Sequence, residues 1–365
     1  MRDIVAQALE SAAETREDAE DADDDRDPEA FGPPQFALVG CGEAGIDRAN
    51  VGVQSPSRDR YSFEFDVTTV AVGAPSSLDS DRADVCVPVE TDDRSAVESS
   101  DLSADDAALE SRLETVDVAV VTAHLSAPET AELTAAAADC LPSDATVVAA
   151  VSVPESVPAT DRFSAGFERV AGAADTVVPL DFAHLRSGFD AAFEDSTDAD
   201  DPPVRSLADG LVRELTTDCF EVIQAPLSAP VNVVRLYDLL DTGGIALAYR
   251  GVGTRDDVAA ELLDHAVAHR LCDGDRSTAD GGLGVCRFGE AFTLREYQDL
   301  FGTAADRFGT AVEPDRWVHA GNATTGLGEE CRVTILLTGV EPSSLRFFDL
   351  ADDGAGAERP PETYR

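Results

Sequence analysis

The chain has 365 residues with 72 acidic and 27 basic side chains, a formal net charge of -45 at pH 7, and no Lys among the basic ones. The acid excess runs the full length beside an ordinary apolar share of 43%. That balance disfavours nucleic acid and anionic lipid as partners and suits a globular protein of an extreme halophile, since at ~1 M salt the Debye length falls to ~3 Å and self-repulsion is screened. No stretch reaches the roughly 18 apolar residues of a membrane span, and the N-terminus is acidic where a secretory signal is basic and then apolar, so the sequence predicts a cytoplasmic protein without membrane insertion.

In chain order, Asp3 to Ala12 places Ile4, Val5, Ala8 and Leu9 at helical spacing, and Glu14 to Glu29 is almost entirely acidic, which predicts a short amphipathic helix and then disorder. The turn Phe31 to Gln35 leads into a buried strand, Phe36 to Gly40. Apolar runs at 36–40, 67–73, 116–123, 146–153 and 176–180 alternate with helical or loop segments, the pattern of an α/β, Rossmann-like parallel sheet covered on both faces. Val204, Leu207, Leu211, Leu215, Cys219 and Val222 make one stripe and predict a long central helix over 204–223. Strands at 244–250, 283–288, 316–320 and 331–340, with helices near 254–272 and 293–308, predict a smaller second α/β domain whose strands stay apart from the first sheet. The organisation is therefore an N-terminal segment (1–34), a nucleotide-binding-type domain (35–203), the central helix (204–225), a second domain (226–340) and a loose tail (341–365). Within the tail, Leu345 to Leu350 is read as packing back on its own domain rather than as a docking peptide. Seven cysteines without a CxxC pair predict reduced, mostly buried thiols. His265 and His269 stand at i, i+4 with no third ligand nearby, which makes a helix face and not a metal site.

Two stretches bear on chemistry. Gly40-Cys41-Gly42-Glu43-Ala44-Gly45 follows a strand and opens a helix, where a GxGxxG pattern means close backbone approach to phosphate at a helix N-terminus. Val120 to Leu133 reads as a strand running into a helix, with Ser126 as cap and Pro128 in the first turn. Only His124 and Leu125 separate Thr122-Ala123 from Ser126, so no loop is left to wrap a phosphate chain.

With these motifs the chain, from near residue 1 to about Val340, resembles FtsZ, the prokaryotic relative of tubulin. The resemblance implies two α/β domains around one long helix and a GTP site in the first domain. In that family a long Gly- and Thr-rich loop stands where His124 and Leu125 stand here, so the resemblance also implies that this chain cannot hold a triphosphate as its relatives do. Family glycine is replaced by Glu43, and the two positions after Gly45, usually Asn, are Ile46 and Asp47. A carboxylate within about 5 Å of a phosphate charge costs on the order of 3 kcal/mol at an effective dielectric near 20. Glu43 could instead bond a ribose diol, but it stands inside the glycine pattern and not about twenty residues beyond it. The family's Asp-Ala-Gln contact aligns with Ala74-Pro75-Ser76, while the framework Arg82-Ala83-Asp84-Val85 persists. In 151–163 the family's ribose-contacting Glu and Arg are not found, and Leu180 replaces an amide. Asp209 falls on the position that reads the guanine edge, although the dipole at a helix head explains it equally. Arg205 stands where a Phe usually stacks on the base, and its planar guanidinium could stack too.

Hydrolysis in the family uses an acidic loop that reaches the nucleotide of the next subunit. Counted from Pro226, its three positions are Pro230, Asn232 and Arg235, so both catalytic acids are absent; a shifted register puts Val234 and Tyr237 on them. The vestigial nucleotide-binding set is thus Gly40, Gly42, Glu43, Gly45, Thr122, His124, Arg205 and Asp209, and the degenerate catalytic positions are Asn232 and Arg235. The resemblance implies a cytoskeletal or regulatory protein, without a required cofactor and with GTP or GDP bound weakly if at all, acting with FtsZ or another FtsZ-like protein, a second copy included. Arg235 would face the GTP of a neighbouring FtsZ subunit and cap a filament end. A nucleotide-binding enzyme of unusual geometry on the same fold is the alternative, and a solitary scaffold with no polymer contact is a third reading.

Overall fold

The computed structural model describes residues 35–53, 67–78, 83–89, 113–155, 161–188, 202–224, 233–254, 259–289, 292–308, 312–323, 327–345 and 347. The expected N-terminal helix and acidic stretch, the loop containing Asn232, and the tail beyond Phe347 lie outside these residues. From Gln35 onward the chain is one compact unit.

Ten strands form one sheet: β1 (Phe36–Cys41), β2 (Val67–Gly73), β3 (Val85–Pro88), β4 (Val118–His124), β5 (Thr146–Val153), β6 (Thr176–Asp181), β7 (Gly244–Thr254), β8 (Gly281–Phe288), β9 (Trp317–Ala323) and β10 (Glu330–Val340). The spatial order is β3-β2-β1-β4-β5-β6-β7-β10-β8-β9. Strands β1 to β7 run parallel, β10 is antiparallel to both β7 and β8, and β9 is parallel to β8. The nine helices named here, in chain order, are α1 (Gly42–Val53), α2 (Pro128–Asp139), α3 (Asp161–Ala173), α4 (Phe182–Gly188), α5 (Pro202–Gln224), α6 (Val233–Asp241), α7 (Ala259–Ala268), α8 (Leu294–Gly302) and α9 (Ala304–Phe308).

Each strand of the parallel half alternates its side chains between two apolar layers, as a sheet covered on both faces requires. Ala37, Val39 and Cys41 belong to one buried cluster, Phe36 and Leu38 to the other. The helix α5 lays Ala208, Leu211, Val212, Leu215 and Val222 into the second cluster. Its polar edge is tied to the later strands by charge. Asp218, buried, accepts from the Thr334 hydroxyl at 2.6 Å and pairs with Arg287 on β8, and Glu214 pairs with Arg250 on β7 at 2.6 Å and with Arg332 on β10 at 3.4 Å.

One expectation is corrected here. The strands of 244–340 do not form a sheet of their own; β7 joins β6 through two residue pairs, Thr176↔Gly244 and Val177↔Ile245. The physical reason lies in Gly243-Gly244. A Cβ on Gly243 would fall 2.0 Å from the Thr176 hydroxyl oxygen, and Gly244 has φ +53. Two glycines therefore let the chain close on β6, where the Gly244 N–H donates to the Asp175 carbonyl at 2.8 Å and the Thr176 hydroxyl to the Leu240 carbonyl at 2.5 Å.

The segment after β10 crosses to the first half of the sheet. Phe347 is buried against Phe163 and Phe167 of α3, with ring centroids 6.0 and 5.1 Å away, and Leu345 is fully buried. The expectation that this apolar run packs on its own domain fits Leu345, which lies beside Gly274 and Leu247 of the second half, and is corrected for Phe347, whose partners on α3 precede the central helix. All seven cysteines are thiols outside disulfides; five are buried and Cys86 and Cys140 are half-buried.

Candidate functional site

A cavity of about 270 Å³ opens at the C-terminal ends of β1, β4 and β6, lined by Cys41, Gly42, Glu43, Ala44, Asp47, Arg48, His124, Ser126, Thr130, Phe182 and Asp209. It is slightly smaller than the roughly 300–1,000 Å³ typical of sites for organic ligands. In an open α/β sheet this is the edge where ligands bind.

The glycine pattern has a packing explanation independent of any ligand. A Cβ on Gly40 would fall 2.4 Å from the Gly45 carbonyl oxygen, and a Cβ on Gly45 would fall 2.3 Å from that of Thr122. The start of α1 thus rests directly on β1 and β4. Gly42 alone needs its conformational freedom, at φ +69. Gly40 and Gly45 stand behind the cavity wall and Gly42 lines it. Thr122 is fully buried and outside the lining, its carbonyl against Gly45.

Between β4 and α2 the chain has three residues, Leu125 to Ala127. Their amides are largely committed. Leu125 N–H donates to the Ser152 carbonyl at 2.9 Å and Ser126 N–H to that of His124 at 2.8 Å. Pro128 opens the helix without an N–H, and Thr130 N–H donates back to Ala127 at 3.0 Å. The helix start therefore offers few donors to an anion. Ser126 is not the cap, as the sequence suggested: Ala127 occupies that position in extended conformation, φ -140, with no side-chain capping bond. His124 is buried, its Nδ1 2.7 Å from the Ser152 hydroxyl and its ring stacked on Phe182 at 5.0 Å.

Arg48, 2% exposed, forms the floor. Its Nε donates to Asp209 at 2.7 Å and its Nη1 to the Ala123 carbonyl at 2.9 Å. One guanidinium thereby joins α1, β4 and α5. Asp209 lies two turns into α5, so the helix-head explanation of this acid fails, because the dipole acts within the first turn. Three carboxylates (Glu43, Asp47, Asp209) and one guanidinium line the cavity, a formal charge of 1 − 3 = −2. The Cys41 thiol is pushed up to about 12 by burial and is no nucleophile.

Of the other sequence candidates, Arg205 lies on α5, where only its backbone is described. Arg235 is far from the cavity. It is exposed on α6, its Nη1 3.4 Å from the Asp315 carbonyl just before β9. Because β9 runs in the same direction as β1, that places Arg235 at the end of the sheet opposite the cavity. His265 and His269 stack on each other at 3.9 Å, and among the described residues no group of three or more His, Cys, Asp or Glu is arranged for a metal. Arg48 and Phe182 escaped the sequence reading. The available signal was an Arg beside the buried Ile46 and Ala49 in a chain poor in cations.

No family model matches the chain. Among curated proteins it is 24% identical to cell division protein FtsZ 2 of Haloferax volcanii over 369 residues, covering 94% of this chain and 84% of that protein. It is also 24% identical to cell division protein FtsZ 1 of Halobacterium salinarum over 196 residues, covering 53% of this chain and 46% of that one. An empty FtsZ dimer from M. jannaschii superposes with TM-score 0.68 at 19% identity, over 93% of this chain and all of that one. A GTPγS-bound CetZ2 protofilament from Haloferax volcanii superposes with TM-score 0.64 at 20% identity, over 87% and 98%.

Proposed function

The chain is a tubulin/FtsZ-superfamily protein, and from that premise we propose that it is a cytoplasmic filament-type protein that does not hydrolyse GTP and acts with FtsZ subunits in division or shape control. The observation that carries this reading is the three-residue connection between β4 and α2, whose Leu125 and Ser126 amides are spent on protein carbonyls. Glu43 and Asp47 beside it add negative charge where a triphosphate would bring more. Arg235 stands where the resemblance expects a water-positioning acid. Loss of phosphate donors and loss of water positioning are separate defects, each typically worth several kcal/mol of barrier.

Solved relatives include a dimer and a protofilament. A chain of this fold joining such a filament would present the Arg235 end to a neighbour's GTP, whose phosphates suit a guanidinium fork. Its acidic cavity would repel the acidic loop of an authentic FtsZ subunit. Such a molecule caps a filament end and slows turnover there. In the test, increasing protein is added to polymerising FtsZ from the same source in molar KCl. GTP turnover and filament length should both fall, and Arg235→Ala should abolish the effect. No change in either quantity, or an effect indifferent to Arg235, would remove the capping model.

A further inference from the structure

After β10 the chain crosses to α3, and its landing point is tied to the cavity by a run of direct contacts. Leu345, fully buried, lies beside Gly274 in the second half. Phe347, two residues on, is 1% exposed against Phe163 and Phe167 of α3, and its carbonyl accepts from the Ser164 hydroxyl at 3.5 Å. The same helix rests directly on α2. A Cβ on Gly166 would fall 2.9 Å from the Ala131 side chain, and Arg169 pairs with Glu132. The start of α2 is in turn cavity wall: Ser126 just before it and Thr130 in its first turn line the cavity beside Cys41. Thr134, one turn further along, stands against the Cys41 thiol. Every step from Phe347 to the cavity is thus ring on ring or helix on helix, with no loop between.

We propose that the segment from Leu345 to Phe347 is a latch whose docking on α3 sets the position of α2, so that release of Phe347 opens the cavity wall at Ser126, Thr130 and Cys41. The inference is independent of the filament reading and holds whether or not the cavity takes a nucleotide. Close-packed interiors transmit displacement, because a gap forfeits the contacts on both of its sides. When Phe347 leaves, Phe163 and Phe167 lose their covering ring, and α3 settles toward the vacated volume. The contact at Gly166 then loosens, and α2 is no longer pressed against Cys41. The latch is also the member of the relay best suited to move. One aromatic ring and one long hydrogen bond hold it on α3, so its docked and released states differ by a single side chain. Whatever engages the chain beyond Phe347 is thereby read at the cavity.

The test is alkylation of the full chain by iodoacetamide in molar KCl, with the rate at each cysteine read by peptide mass spectrometry. Two fully buried thiols serve as reporters, Cys41 under α2 and Cys331 on β10 in the second half. Phe347→Ala should raise the rate at Cys41 relative to Cys331 at least about tenfold, because the opening is local. Leu300→Ala empties a buried position on α8 in the second half and should leave that ratio at its wild-type value or lower it. Phe347→Leu, which refills most of the volume, should return the ratio most of the way to wild type. A ratio that Phe347→Ala does not change would overturn the proposal, since α2 would not feel the latch. A ratio raised equally by Leu300→Ala would overturn it too, by showing that only global stability was lost. Hydrogen exchange on the same variants locates the step: faster exchange in α3 without α2 would place the end of the relay at Gly166 and refute the coupling to the cavity.

Discussion

Replacing Arg48 by Met removes a guanidinium whose side chain is 1% exposed, together with its bonds to Asp209 and to the Ala123 carbonyl. Each such charged bond is worth about 1.5–3 kcal/mol, but the desolvation of the buried cation is relieved at the same time. Asp209 is 29% exposed and regains water. The net cost should be about 2 kcal/mol. Asp209→Ala does the opposite, leaving the buried guanidinium without its countercharge, which typically costs about 3–5 kcal/mol. The double variant should then cost no more than Arg48→Met alone within about 1 kcal/mol, because the same interaction is lost once. Urea unfolding in molar KCl, followed by tryptophan fluorescence and circular dichroism, measures all three. If Arg48→Met costs as much as Asp209→Ala, or if the two costs add, the guanidinium is not the tie between α1, β4 and α5 that the geometry describes.

Gly45→Ala should destabilise by about 1–3 kcal/mol or more in the same urea assay, since its Cβ overlaps backbone at Thr122, whereas Gly172→Ala in α3, with nothing within 4 Å, should be neutral or stabilising by up to about 1 kcal/mol. Burial among Trp317 and Phe301 pushes His319 below its ordinary value. The unfolded chain then binds the proton first, so stability should be complete above about pH 6.5 and fall as the pH drops below it, by at most about 1.4 kcal/mol per unit, and His319→Phe should flatten that slope. Phe347→Ala should cost about 3 kcal/mol and lower hydrogen-exchange protection in α3, which unchanged protection there would contradict.

The strands were legible because their signal is local: a buried apolar run bounded by turns survives even with one chain and no relatives. Val67 to Gly73 and Thr146 to Val153 are read with the boundaries they have. The stripe from Val204 to Val222 likewise announces α5, which extends from Pro202 to Gln224. What escaped was set by distant partners. Nothing in the composition of Thr176 and Val177 says that Gly244 and Ile245 will lie beside them, because the join depends on the Gly243-Gly244 backbone. The short strand Val85–Pro88 was seen only as a framework motif; its role emerges from Asp84, whose carboxylate accepts from the Thr69 N–H and hydroxyl at 2.9 and 2.6 Å.

In the site, the shortness of the Thr122 to Pro128 passage was readable because the apolar strand run and the Pro-led helix start are both local signals, with only a few residues between them. The fate of Asp209 was not, since its partner Arg48 lies 161 positions away. The sequence offers base recognition or the helix dipole for Asp209, and its ion pair with Arg48 is neither. Glycines at 40 and 45 suggested phosphate, yet the contacts they permit are between backbone segments of the fold.

The most direct test of the account is the nucleotide content and GTP turnover of the purified protein in molar KCl. The account predicts guanine nucleotide well below one equivalent per chain and turnover no faster than a buffer blank. Turnover above the blank that disappears on substitution of Asp209 or Glu43 would contradict it and show that the cavity beside α1 works as an unconventional GTPase site.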